Sequence, residues 1–198
     1  MARYPHDVTS ATPTRSAASP LGQSNYQVRF DWADAGAREI GVGADVIVWV
    51  DALDSRLPDA DIRGLIVVGS LRNRSALARW ALERQGDLGD RFTIAVVAAG
   101  DTHSDGSLRF ALEDLLASGS IIDALADVGI DYCSPEAAAA SAAFTGLRSA
   151  TGHLIGSSGS GRTLADAGRR DAIEHAIDLD VSGEVPVLRN HPPADTVD

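Results

Sequence analysis

The stretch Val46-Ile47-Val48-Trp49-Val50-Asp51 reads as a buried strand that ends on a carboxylate. Other strand-like runs of the chain also open into glycine, hydroxyl or charged residues, which is the pattern of an α/β sheet with chemistry along one rim. Side chains leaving such a sheet meet loops and helix N-termini. Asp51 is therefore the first candidate for a site, beside the plain alternative of a turn aspartate at a strand exit.

Working outward, Tyr26 to Asp31 reads as a strand and Ala33 to Ile40 as a short helix leading into the Asp51 strand. Leu65 to Val68 and Phe92 to Ala98 are further strands, separated by Ser75 to Glu83, whose Ala, Leu and Trp spacing buries one helical face. Helices are expected at Leu108 to Ser118, Ile121 to Val128 and Ser134 to Arg148, the last with Ser134 as N-cap and Pro135 in its first turn. A helical pair should occupy Arg162 to Asp178, and Val185 to Leu188 a final edge strand that tolerates Pro186. The expected fold is α/β, a layered sheet with flanking helices in a single domain over residues 25–188. Residues 1–24, rich in Ser, Thr, Pro and Ala, read as a flexible leader, and residues 189–198 as a flexible tail.

A chain of 198 residues, 44% hydrophobic, can bury one substantial core. Its formal net charge of −11 disfavours nucleic acid and anionic membranes as partners. The basic pair Arg169-Arg170 could still meet a small anion. With Cys133 as the lone cysteine there is no intrachain disulfide and no multi-cysteine metal site, which suits the cytoplasm. The apolar runs are too short to span a membrane.

Gly156-Ser157-Ser158-Gly159-Ser160-Gly161-Arg162-Thr163 has the spacing of a phosphate-binding P-loop, but arginine replaces the lysine and no strong strand precedes it. A Gly/Ser turn capping the next helix, or an anion site formed by backbone N–H groups with Arg162, describes it better. Gly69-Ser70-Leu71-Arg72-Asn73-Arg74-Ser75 leaves a strand for a helix and offers donors to an anion, or merely caps. Glu113 and Asp114 are adjacent carboxylates that point about 100° apart on a helix. The histidines are scattered without metal-binding spacing, and only His103 sits in a polar loop suited to acid/base work. No Gly-x-Ser-x-Gly elbow accompanies them.

Taken together, Tyr26 to Trp32, Val50-Asp51, Gly69 to Asn73, Gly106 to Arg109 with Leu112 to Leu116, Ser160-Gly161-Arg162, and Asp178 to Ser182 with Val185 to Leu188 resemble the 2-phosphosulfolactate phosphatases. The likeness covers most of Tyr26 to Leu188 and rests on the collinearity of these segments. It implies Mg²⁺-dependent hydrolysis of a phosphomonoester on a small sulfonated or carboxylated acid, on the route to coenzyme M or related sulfonates. By the same resemblance Asp51 and Arg72 are the catalytic candidates. Asn73, Ser160, Gly161 and Arg162 are the substrate-binding candidates, and Asp51, Glu113 and Asp114 the ligands of Mg²⁺. The partner implied is a small phosphorylated anion, and a homo-oligomer is compatible with this reading.

The chain departs from the family after Asp51. It reads Ala52-Leu53-Asp54-Ser55-Arg56-Leu57-Pro58 and passes quickly to the Leu65 strand, without the family's hydroxyl-rich stretch and its Asn-Gly-Ser/Thr turn. Such a turn would donate to the transferring phosphoryl oxygens. The competing function is therefore a catalytically impaired family member that serves as a small-anion binding or interaction subunit.

Overall fold

The structure, a computed structural model, describes residues 19–191. Strand β1 (Val28–Trp32) leads directly into helix α1 (Ala33–Ile40), followed by strands β2 (Val46–Val50) and β3 (Gly64–Gly69). Helix α2 (Arg74–Leu88) precedes β4 (Ile94–Ala98), and a small hairpin, β5 (Asp101–Thr102) and β6 (Leu108–Arg109), leads to α3 (Leu112–Asp127). Helices α4 (Pro135–Leu147), α5 (Thr151–Ser157), α6 (Gly159–Asp166) and α7 (Arg170–Ala176) then lead to β7 (Val187–His191).

The main sheet has five strands in the order β1-β4-β2-β3-β7. The pairings among β1, β4, β2 and β3 are parallel, whereas β7 runs antiparallel to β3. Every residue of β2 and β4 is buried because both strands are covered on two faces, which explains their unbroken apolar sequences. Val46, Val48 and Val50 face the larger core with α2, α3 and α4; Ile47 and Trp49 face a smaller one with Ala37, Ile40 and Ile62. The thinner face is sealed by α1 and the segment after β2, where the Trp49 indole N–H donates to the Arg56 carbonyl at 2.7 Å. Arg56 crosses that face to pair with Asp34 and to donate to the Ala99 carbonyl at 3.0 Å, so it holds the fold together.

The α/β expectation holds, with corrections to individual elements. The two helices expected between Leu108 and Val128 are one helix, α3, and Leu108-Arg109 belong to the hairpin. The expected boundary, between Ser118 and Ile121, is where α4 crosses closely: a Cβ on Gly119 would overlap the Ala140 carbonyl oxygen. Residues 189–191, expected in the tail, belong to β7. Pro186 precedes that strand and needs no N–H, while its carbonyl accepts from Val68 N at 2.9 Å. At the other end, residues 19–24 of the expected leader are structured. The Gln23 amide donates to Phe30 O at 2.9 Å and accepts from Phe30 N at 3.0 Å, mimicking a neighbouring strand at the β1 edge. The remainder of the expected leader and tail, residues 1–18 and 192–198, lies outside the described residues.

Candidate active site

The carboxyl ends of β2, β4 and β3 form one rim, and the side chains there fall into an acidic cluster and a basic cleft. Asp51 closes β2 and organises the turn that follows: its Oδ1 accepts from Asp54 N at 2.8 Å and its Oδ2 from Arg56 N at 2.7 Å. Ser55, within that turn, adopts the left-handed conformation with φ 57°. Asp114, in the first turn of α3, clasps two strand ends at once. Its Oδ1 accepts from Ala52 N at 2.8 Å, after β2, and its Oδ2 from Gly100 N at 2.9 Å, after β4.

Glu113 beside it is 3% exposed, and its carboxylate makes no hydrogen bond to any described residue. Burial raises the Asp114 carboxyl well above its ordinary range, reinforced by Asp51 and Glu113 and opposed by the two backbone donors. Desolvation likewise raises Asp54, with Asp51, Asp101 and Glu113 adding to the shift and Arg169 opposing it. The rim thus concentrates negative charge that a cation would relieve.

The basic cleft lies between the β2 and β3 exits and α7, with a volume of about 510 Å³. Ser55, Ser70, Arg72, Arg169, Asp171 and His175 supply its polar lining. Arg72 is held in place because its Nη1 donates to the His175 carbonyl at 2.8 Å and to Asp178 Oδ2 at 2.7 Å. The segment carrying Asp178 straps the turn after β3: Asp180 N donates to Leu71 O at 3.1 Å and Ser182 N to Arg72 O at 2.8 Å. Asp180 Oδ1 also accepts from Ser75 N at 2.8 Å, capping α2 from more than a hundred positions away, since Asn73 makes no side-chain cap bond there.

The candidate residues are not all brought together. Asp51, Glu113 and Asp114 share the acidic rim, and Arg72 lines the cleft. Asn73 is 3% exposed, and its amide is occupied within the turn: Oδ1 accepts from Ser70 N at 2.9 Å, and Nδ2 donates to Val68 O at 3.0 Å and Glu184 O at 3.1 Å. It shapes the turn rather than facing the cleft. Ser160, Gly161 and Arg162 lie on α6 and do not line the cleft.

The P-loop-like segment is helical on both sides of Ser158, whose hydroxyl caps α6 by accepting from Gly161 N at 3.1 Å. A Cβ on Gly161 would overlap the Ile155 carbonyl, so this glycine serves the packing of α5 on α6. His103 is exposed on the hairpin turn. Arg169, half of the basic pair expected to be able to meet a small anion, lines the cleft, while His175 and Asp178 take places there that the sequence does not assign. Asp178 to Ser182 was visible only as part of a collinear resemblance, and its contact with Arg72 is long-range.

Among the described residues no three His, Cys, Asp or Glu side chains form a ready-made metal cage. Asp51 and Asp114 already hold a backbone donor on each oxygen, so a cation would meet only their remaining lone pairs. The donor chemistry does fit a hard cation held by one or two carboxylates and completed by water and a ligand's phosphate, the usual mode for Mg²⁺. Glu113, whose carboxylate makes no hydrogen bond to any described residue and is not among the fully enclosed polar groups, is the carboxylate freest to take it, and Asp51 keeps free lone pairs.

Fold and rim define an open α/β protein, the class whose ligand crevice lies outside the carboxyl ends of its strands. A sequence model of the 2-phosphosulpholactate phosphatase family matches residues 58–191, and the chain belongs to that family. The match includes Arg72, Asn73, Glu113, Asp114 and Ser160 to Arg162, while Asp51 precedes it. The chain is 34% identical over 174 residues to a 2-phosphosulfolactate phosphatase of Methanothermobacter thermautotrophicus, an alignment covering 88% of this chain and 62% of the relative.

Proposed function

We propose that this protein hydrolyses the phosphomonoester of a small sulfonated or carboxylated acid, with 2-phosphosulfolactate as the first substrate to test. The observation that carries the reading is the meeting, on one strand-end rim, of a carboxylate, Glu113, that makes no hydrogen bond to any described residue, with a cleft holding a fixed guanidinium, Arg72. The net reaction breaks the ester P–O bond and gives the phosphoryl group to water, releasing the hydroxy acid and phosphate.

Arg72 offsets substrate charge from a position fixed before binding, so little ordering is required of it. Asp51 and Asp114 hold the loop N–H groups that shape the rim. Glu113, with Asp51, would hold Mg²⁺, which when bound neutralises charge on the phosphoryl oxygens. A role in sulfonate metabolism and a cytoplasmic location follow from this reading. No helix among the described residues is long and apolar enough to cross a membrane.

A second reading is favoured by the turn after β2: both oxygens of Asp51 serve the loop, as they would in a pocket that binds an anion without turning it over. Phosphate release from 2-phosphosulfolactate, followed with Mg²⁺ and with EDTA, separates the two. Turnover that EDTA abolishes is the expected result. A folded protein that binds the ester and releases no phosphate would establish the binding subunit instead.

A further inference from the structure

The cleft carries two guanidinium groups with different constraints. Arg72 has its Nη1 tied to the end of α7 and to Asp178, and its Nε and Nη2 make no hydrogen bond to any described residue. Arg169 makes no ion pair or side-chain hydrogen bond among the described residues, yet it lines the cleft. Gly168, with φ 76°, reverses the chain between α6 and α7 and sets Arg169 at the cleft margin, whereas the adjacent Arg170 does not line it. Arg169 also acts electrostatically on Asp54, so it stands where the basic cleft meets the acidic rim.

The two ends of the site differ in chemistry. A phosphoryl group that shares a cation with Glu113 must lie toward the carboxylates, which leaves the rest of the substrate over the cleft. 2-Phosphosulfolactate has two acid groups besides its phosphate, a carboxylate and a sulfonate. The cleft offers two cationic forks to receive them, each able to make charge-assisted hydrogen bonds to acid oxygens.

We propose that Arg169 is a specificity-determining residue that binds a non-transferred acid group of the substrate, sulfonate or carboxylate, beside Arg72. The assignment of ends rests on the phosphatase reading; the anion contact itself does not. Arg169 is exposed and unpaired among the described residues, so its substitution leaves the fold intact. Substrates with one acid group fewer lose this contact, which gives the site its selectivity.

Calorimetric titration of the full chain with 3-sulfolactate, malate and lactate tests the proposal, comparing wild type with Arg169→Gln and, as control, Arg170→Gln. Arg169→Gln is expected to weaken 3-sulfolactate by about tenfold or more, with lactate unchanged and Arg170→Gln equal to wild type. A loss confined to 3-sulfolactate supports the proposal and places the sulfonate on Arg169; an equal loss with malate supports it with a carboxylate there. Wild-type affinity in Arg169→Gln, an equal loss in Arg170→Gln, or no binding of 3-sulfolactate by wild type would overturn it. Arg169-dependent binding without phosphate release from 2-phosphosulfolactate would remove the phosphatase reading and leave the anion contact standing.

Discussion

Gly119→Ala lowers the unfolding free energy by about 3 kcal/mol, the upper end of the usual cost of overpacking a core. Helix propensity alone predicts the opposite sign, because alanine is favoured over glycine in a helix by about 1 kcal/mol. The crossing of α3 and α4 decides the outcome. The added Cβ would overlap the Ala140 carbonyl oxygen and lie 2.8 Å from the Ala140 carbonyl carbon and 3.0 Å from Phe144 Cβ. Two of these neighbours are backbone atoms, which cannot move unless α4 moves as a body. Gly86→Ala is the internal control: it lies within α2, nothing stands within 4 Å of its added Cβ, and propensity should prevail. Urea unfolding of the two variants should show midpoints displaced in opposite directions. For a chain of this size the loss at Gly119 corresponds to roughly 6–12 °C in Tm. Equal effects at the two sites would mean that the helices are not in close contact at Gly119.

Arg74→Met costs about 3–5 kcal/mol, the range for removing one partner of a buried ion pair. Arg74 is 3% exposed. Its Nε donates to Ser120 O at 2.9 Å, its Nη2 meets Asp123 at 2.6 Å, and its guanidinium lies 5.4 Å from the Phe144 ring centre. At 3.5 Å it also meets Asp180, the residue that caps α2 and fastens the strap beside Arg72. Removing the guanidinium leaves the Asp123 carboxylate, whose side chain is 17% exposed, without its main partner. Arg74→Met combined with Asp123→Leu should therefore be more stable than Arg74→Met alone, since the uncompensated carboxylate has gone. A double variant whose losses simply add would show that the pair is weakly coupled. Because Asp180 bridges both regions, the single variant should also loosen the cleft around Arg72.

How much could be read from the chain depended on whether a feature was local. The β2 run and helix α1 were legible because burial on the sheet leaves an unbroken apolar segment and because α1 is short and bounded by strands. The sequence predicts two helices where α3 is one, and the small residues Ser118-Gly119-Ser120 at the expected boundary are explained only by the crossing of α4.

The site followed the same division. Asp51 and Arg72 were visible as polar residues at strand exits, and Glu113 with Asp114 as a pair. Nothing in their adjacency shows that Asp114 clasps Ala52 and Gly100 while Glu113 is left without a hydrogen bond. Asn73, Ser160 and Gly161 occupy turns and helix starts where hydrogen-bonding and glycine residues suit an anion site and ordinary capping equally well. Here the structure places Asn73 in the turn after β3 and Gly161 in the packing of α5 on α6, and Ser160 is buried on α6. Arg169 is legible as half of a basic pair, but that it and His175 reach this cleft depends on the packing of α7 beside the strand exits, a long-range arrangement.

Within the acidic rim Glu113, unlike Asp51 and Asp114, is kept for function and not for stability, and Glu113→Gln tests this most directly. Glu113 makes no hydrogen bond to any described residue, and its charge works against ionisation of Asp54 and Asp114. The neutral isostere should leave Tm equal or raised while lowering Mg²⁺-dependent phosphate release from 2-phosphosulfolactate by at least about tenfold, as loss of a metal-site contact does. Unchanged phosphate release, or a fall in Tm that accounts for the lost activity, would contradict the account.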